Sequence, residues 1–457
     1  MSRAGDTRTR AAPVAREALS FVHWVFPAML ALAALGVLVS GRSLADQYND
    51  LASGAEVVRS PFMSLAQRSV SVLLLVASGA RLLRHMVSGA PLPSPVLAFA
   101  FGLYWLTTVA LPAFYGAHRM ISHELLYPMV LGAAVLVLTP LESRRVIDAA
   151  RTSLLLFLLA GVAMIAININ MALDLSYAQG YIPGLPRLGG LAAHPVSLGM
   201  LTLVALMCLW CRPYPRRWLN WLGWTLGLGV LFMTQSKTAW IAFIVCVVAV
   251  GVMQKSGPIW RRVTDPGNAL LGVFASLAVI LLVAAVAGVL IGTDVGGTVR
   301  GFLDSPEGAQ LTSLTGRDRI WAIAMEEWEA SPFFGYGLSL WDSGFRASIN
   351  MPNATHAHNQ LLDTLARSGI IGAAGLVVYS AVLLWMALSR AKGTGGLSAA
   401  LFFSLALLSI SEVPLLLLGY GLDLFTHLLL VAALVSAAPP RRLPYSATSP
   451  VGYTATS

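Results

Sequence analysis

Residues 356–372 read HAHNQLLDTLARSGIIG, which places two histidines, an asparagine, a carboxylate and a guanidinium within twelve positions of an otherwise apolar chain. His356 and His358 face the same way on an extended approach and diverge by about 200° on a helix. An HxH pair suggests zinc, yet no third ligand at a zinc-site spacing is evident, so no metal is expected. Acid–base chemistry fits better, because a neutral imidazole with a pKa near 6.5 can accept a proton near neutrality. A purely structural histidine remains the alternative. His358-Asn359 is expected to open the helix that carries Asp363 and Arg367.

A second set of residues could bind an anion. Arg187 lies in the Gly/Pro-rich stretch GLPRLGGLAAHP, Lys237 in the tight turn TQSKTAW, and Arg317 and Arg319 in TGRDRIW. Each has a bland reading: a solvated loop arginine, a lysine snorkelling to the surface, a helix face paired with Asp318 and Glu326. Cations that open a helix nevertheless oppose its macrodipole, which favours anions at that end. Several cations beside one base point to a phosphate or diphosphate substrate. His194, just before Pro195, reads as a structural or capping residue. Walker, Rossmann, HExxH and GxSxG patterns are absent, which argues against nucleotide-driven chemistry. Cys208 and Cys211 have a CxxC spacing without a second pair and read as small helix residues.

The elements that hold these residues must be membrane helices. Of the 457 residues, 57% are hydrophobic and only 11% charged, against about 25% charged in a soluble domain. The mean hydropathy is +0.73. Apolar runs of about 20 residues, the length that crosses the hydrocarbon core, fall near 20–40, 62–82, 94–115, 123–140, 152–171, 195–212, 218–235, 238–254, 268–292, 369–389, 397–416 and 420–438. About twelve spans follow. The stretch from 397 to 438 is the least regular, interrupted by Glu412, Pro414 and Asp423.

Basic residues recur in alternate loops: Arg81/Arg84, Arg144/Arg145/Arg151, Arg212/Arg216/Arg217, Lys255/Arg261/Arg262, Arg390/Lys392 and Arg441/Arg442. The positive-inside rule makes these cytoplasmic, with both termini inside. The net charge of +9 is then mainly a topology signal, and no nucleic-acid partner is expected. The first apolar run is long for a cleaved signal and reads as a first span. The expected organisation is a cytoplasmic segment 1–19, a transmembrane domain 20–438 and a disordered cytoplasmic tail 439–457. Loops 172–194 and 294–356 become external. The second should contain an amphipathic helix, with Ile320, Trp321, Ile323, Ala324 and Trp328 at helical spacing, Thr315 able to cap it, and Pro332, Gly335 and Gly337 ending it. Such a helix either lies on the lipid interface or packs on protein.

The order of an external Arg loop, an SKT turn, GRDRIW, SPFFGYG and HAHNQLLDTLARSGIIG resembles the O-antigen ligase and O-antigen polymerase superfamily. By motif the resemblance covers roughly residues 180–390. It implies an all-α, GT-C-like glycosyltransferase of the bacterial inner membrane, acting at the periplasmic face on undecaprenyl-diphosphate-linked glycans without a cofactor. By position it implies that His358 is the base, with His356 in support, and that Arg187, Lys237, Arg317 and, more weakly, Arg319 hold the diphosphate. Lys237 stands where many members carry Arg, which keeps the charge and loses the bidentate fork.

A ligase moves O-antigen onto lipid A–core, a polymerase joins lipid-linked repeats, and a third branch modifies protein. One dominant external loop before the HN motif favours the ligase. A lipid-linked glycan transporter is the non-enzyme alternative; it would show internal repeats and charges deep within spans, whereas the polar cluster here lies at the external rim.

Overall fold

The computed structural model describes residues 12–44, 61–177, 184–264, 317–351, 354–419 and 421–437. Runs of Leu, Val, Ala and Phe leave the chain one way to satisfy its backbone in lipid, and it takes it: long helices. In chain order these are α1 (Ala12–Ser40), α2 (Pro61–Ser88), α3 (Pro95–Trp105), α4 (Leu111–Tyr115), α5 (Leu126–Leu136), α6 (Pro140–Ile167), α7 (Ile169–Ala172), α8 (Pro195–Cys211), α9 (Arg217–Met233), α10 (Lys237–Thr264), α11 (Arg317–Ala330), α12 (Ser343–Ser348), α13 (Gln360–Ser389), α14 (Leu397–Leu408) and α15 (Leu422–Ser436). The protein is a multi-pass, helical membrane protein.

Eleven of the twelve expected spans coincide with a described helix, and 268–292 lies outside the described residues. Among the described residues, five helices have the length and composition to cross a membrane; five further apolar helices are shorter. Length alone therefore does not carry a count of twelve.

Two boundaries differ from expectation for identifiable reasons. The span expected to begin at 152 starts as α6 at Pro140, because Thr139 and Glu142 form a reciprocal capping box with proline in the first turn. The span expected over 397–416 stops at Leu408, and Ser409–Gly419 runs as turns. Pro414, which would break the ladder, lies in that segment. A two-residue antiparallel ribbon, β1 (Leu173–Asp174) with β2 (Arg187–Leu188), is the one departure from an all-helical chain among the described residues.

Small residues let the helices close in. A Cβ on Gly199 would come within 2.9 Å of Ala239, and one on Gly227 within 2.5 Å of Leu206. The apolar core contains a polar stack in which Tyr104 lies on Tyr379 with centroids 4.7 Å apart, and the Tyr379 hydroxyl is 2.7 Å from His427 Nε2.

The two ends of the bundle differ in character. At one end Arg81 pairs with Glu142 at 2.6 Å and Arg212 with Asp148 at 2.7 Å. There Arg390 donates to Leu434 O and Ser94 Oγ. These are the loops expected to be cytoplasmic, and their basic residues meet partners on neighbouring elements of the same end. The starts of α8, α10, α13 and α15 all lie at the other end.

Candidate active site

The histidine segment is held by its own helix. Asn359 caps α13, its Oδ1 accepting from the Leu361 and Leu362 N–H groups at 3.1 Å each. Asp363, one turn on, is buried and accepts three bonds: from Ala357 N–H (2.9 Å), Trp341 Nε1–H (3.0 Å) and Arg367 Nε–H (2.7 Å). Arg367 in turn donates to the Leu340 and Leu338 carbonyls. A buried ion pair with its polar atoms engaged fixes geometry more than it adds stability. Here it clamps the residue between the two histidines. Arg367 is thereby accounted for as a structural cation.

The 332–337 turn docks on the same helix. At Gly369 α13 takes φ 63°, ψ −165°, and a Cβ there would lie 2.3 Å from the Phe333 carbonyl. This break opens the ladder, so Tyr336 N–H reaches Ala366 O and Gly337 N–H reaches Arg367 O. The amphipathic helix α11 packs on protein: Ile320 and Ala324 are buried, and Trp321 Nε1 donates to Ala357 O at 2.8 Å. Thr315 lies outside the described residues.

A carboxylate from the distant turn after α14 completes the cluster. Glu412 Oε2 lies 3.3 Å from His356 Nε2 and 3.3 Å from His358 Nδ1. Gln360 fastens that turn to α13, its N–H donating to Ser409 O and its Oε1 accepting from Leu415 N–H. His358 takes φ 49°, a strained value for a residue with a side chain, and its N–H donates to His356 Nδ1 at 3.1 Å. Burial, then the neighbouring His358, holds the His356 imidazole down at about 4, although Glu412 pulls the other way. One nitrogen from each histidine and a Glu412 oxygen lie within 4.8 Å of one another, so a third side chain of ligating type, which spacing did not reveal, lies beside the pair. These are the residues that could hold a divalent ion. Beside them a cavity of about 80 Å³, lined by Ser197, His356, Glu412, Pro414, Asp423 and Thr426, is roomy enough for several waters.

Of the expected anion ligands, Arg187 is the best defined. Strand β2 buries it, its Nε donates to Thr234 O at 2.9 Å, and its guanidinium sits 4.7 Å over the Tyr177 ring. Among the described residues no carboxylate lies within ion-pair distance of it. Arg42, which sequence reasoning did not select, donates to the Gly190, Ala192 and Ala193 carbonyls and so pins the loop that follows Arg187. His194 caps α8 by accepting from Val196 N–H. Burial, then Arg187, holds the His194 ring down at about 4, and the charges of Glu412 and His358 also act on it. The arginine loop and the histidine cluster thus share one end of the bundle. Lys237, exposed, opens α10 three residues beyond the carbonyl that Arg187 contacts. Arg317 opens α11, four residues before Trp321 and so on the same helix face; its side chain lies outside the described residues. Arg319 is exposed and donates to Ile349 O at 3.1 Å, which ties α11 to the segment after α12.

Residues 222–377 match the family model described as O-antigen ligase. Over those residues the chain is similar to the O-antigen ligase family. No curated protein matches the chain. The O-antigen ligase segment contains Lys237, Arg317, Arg319, His356 and His358, whereas Arg187 and Glu412 lie outside it. Glu412 was missed because it is more than 50 residues from His358 in an apolar stretch. A carboxylate ending an apolar helix on the expected side of the HxH pair was the available signal.

Proposed function

We propose that the protein is an O-antigen ligase, a GT-C-like glycosyltransferase that moves O-antigen glycan from undecaprenyl diphosphate to lipid A–core at the periplasmic face of the inner membrane. The observation that carries this reading is a pair of histidines in the segment that matches O-antigen ligase, joined by a carboxylate from beyond it and sharing its end of the bundle with a buried arginine that forms no ion pair with a described carboxylate. His358 takes the proton from an acceptor hydroxyl, the hydroxyl oxygen forms a bond to the anomeric carbon, and the bond from that carbon to the diphosphate oxygen breaks. Its electron pair leaves on the diphosphate. Direct displacement inverts the anomeric centre.

Arg187, Lys237 and Arg317 neutralise the leaving group, with Arg319 peripheral to them. A buried guanidinium without an acidic partner is costly on its own, and a diphosphate would supply the missing anion through charge-assisted bonds. Diphosphate is already a good leaving group, so neither a general acid, a metal nor a nucleotide is invoked.

The test uses purified protein, a polyprenyl-diphosphate glycan, EDTA and no nucleotide, with and without lipid A–core. A lipopolysaccharide ladder that requires the acceptor and disappears in His358→Ala is expected. Chain growth with donor alone would instead identify a polymerase, and bound donor without product would favour transport.

A further inference from the structure

The two histidines of the HxH pair are chemically unequal, and the difference follows from three contacts. His356 Nδ1 accepts the His358 N–H at 3.1 Å, so neutral His356 carries its proton on Nε2, the atom 3.3 Å from Glu412 Oε2. His356 then has no lone pair left with which to act as a base. His358 presents Nδ1 to the same oxygen at 3.3 Å, and that nitrogen is fully covered and has no hydrogen-bond partner, so Glu412 is the acceptor nearest to hand but the bond is not yet formed. The side chain as a whole is nonetheless 24% exposed, so its accessible edge is the rest of the ring, which includes Nε2.

We infer that Glu412 is a positioning residue for glycosyl transfer: it holds the His358 proton on Nδ1, leaves the Nε2 lone pair facing the acceptor hydroxyl, and stabilises the imidazolium formed when that proton is taken. This rests on the reading of His358 as the base. The balance is simple. The acceptor O–H breaks, its proton goes to His358 Nε2, and Glu412 remains ionised throughout, the logic of a carboxylate behind an imidazole base. The 3.3 Å separations are long for finished hydrogen bonds, and such contacts tighten when substrate docks. Gln360, bonded to both Ser409 and Leu415, fixes the turn that brings the carboxylate to the rings.

The charged and titratable groups around this centre are His194 on α8, Arg187 on β2, Arg42 after α1, Asp363 and Arg367 on α13, and Asp423 on α15, which lines the adjoining cavity. Because these also titrate or shift potentials, the test compares isosteric variants at one position across a full pH profile.

Transfer from a polyprenyl-diphosphate glycan to lipid A–core, and donor binding alone, would be measured from pH 5 to 9 for wild type, Glu412→Gln, Glu412→Asp and His358→Ala. Glu412→Gln should lower kcat by about 10²- to 10⁴-fold, leave donor affinity within about twofold, and move the acid limb of the kcat/KM profile to lower pH. Glu412→Asp should restore part of the rate. Unchanged kcat and profile in Glu412→Gln, with His358→Ala inactive, would overturn the positioning role and leave the base intact. No transfer by wild type, with lipid A–core present or absent, would overturn both. Wild-type turnover abolished by EDTA and restored by Zn²⁺ would also overturn it, because the three atoms would then be ligands to an ion.

Discussion

At the scale of single residues, Arg187 and His356 carry the sharpest expectations. Arg187 keeps its terminal guanidinium nitrogens unbonded among the described residues, while Nε is spent on Thr234 O. Arg187→Ala should therefore weaken donor binding by about 2–5 kcal/mol, the usual range for truncating one partner of a buried charge pair. Titrating a polyprenyl-diphosphate glycan into the purified variant checks this, and unchanged affinity would remove Arg187 from the site. Lys237→Arg should keep activity, since it restores a fork that meets a diphosphate better than an ammonium does; a folded, inactive variant would argue against that role. His356 and His194 are both held down at about 4 against an ordinary 6.5. A depressed folded value means the unfolded chain binds protons first. Their stabilising effect is therefore complete above about pH 6.5 and is lost as pH falls toward 4. The melting temperature in detergent should fall across that window, and His356→Asn should flatten the fall.

At the scale of elements, the first turns of α13 matter most. Asp363→Asn leaves Arg367 buried beside a neutral partner, which should cost about 3–5 kcal/mol and also free the Ala357 N–H anchor. Comparing its melting temperature and its turnover separates the two effects. The seam between α3–α4 and α13 has its own test. Pro112 has no N–H, and Ser368 Oγ donates to Thr108 O at 3.0 Å, the carbonyl four residues earlier that an α-helical donor at 112 would have taken. Pro112→Ala and Ser368→Ala should be non-additive in a double-mutant cycle; strict additivity would show the two are uncoupled. The opening of α13 at His358-Asn359 was legible, because an asparagine before an apolar run is a capping signal. The break at Gly369 was not, since one glycine in an apolar run is compatible with an unbroken helix until its contact with Phe333 is seen. Sequence left α11 between lipid and protein because periodicity marks an apolar face and not what covers it.

At the scale of the whole molecule, the polarity of the bundle is what sequence conveyed best. Alternating basic loops put Arg81, Arg212 and Arg390 together, and they share one end. Cysteines introduced one at a time at exposed Thr355 and Lys392, in a background with Cys211→Ser that leaves only the buried Cys208 and Cys246, should react with a membrane-impermeant maleimide from opposite sides; labelling from the same side would refute the expected orientation. Long-range assembly was the part sequence withheld. Helical periodicity reports neighbours three or four positions apart and is silent on which turn, fifty residues on, closes over a loop. The position of Glu412 on such a turn has a consequence for inheritance. The segment recognisable as O-antigen ligase ends at residue 377, so a recombination event or an engineered graft that carries that segment alone delivers both imidazoles to a new host scaffold without the carboxylate behind them. A chimera of that kind should fold its loop and still be slow, until the recipient supplies an acidic residue at the end of the helix that follows.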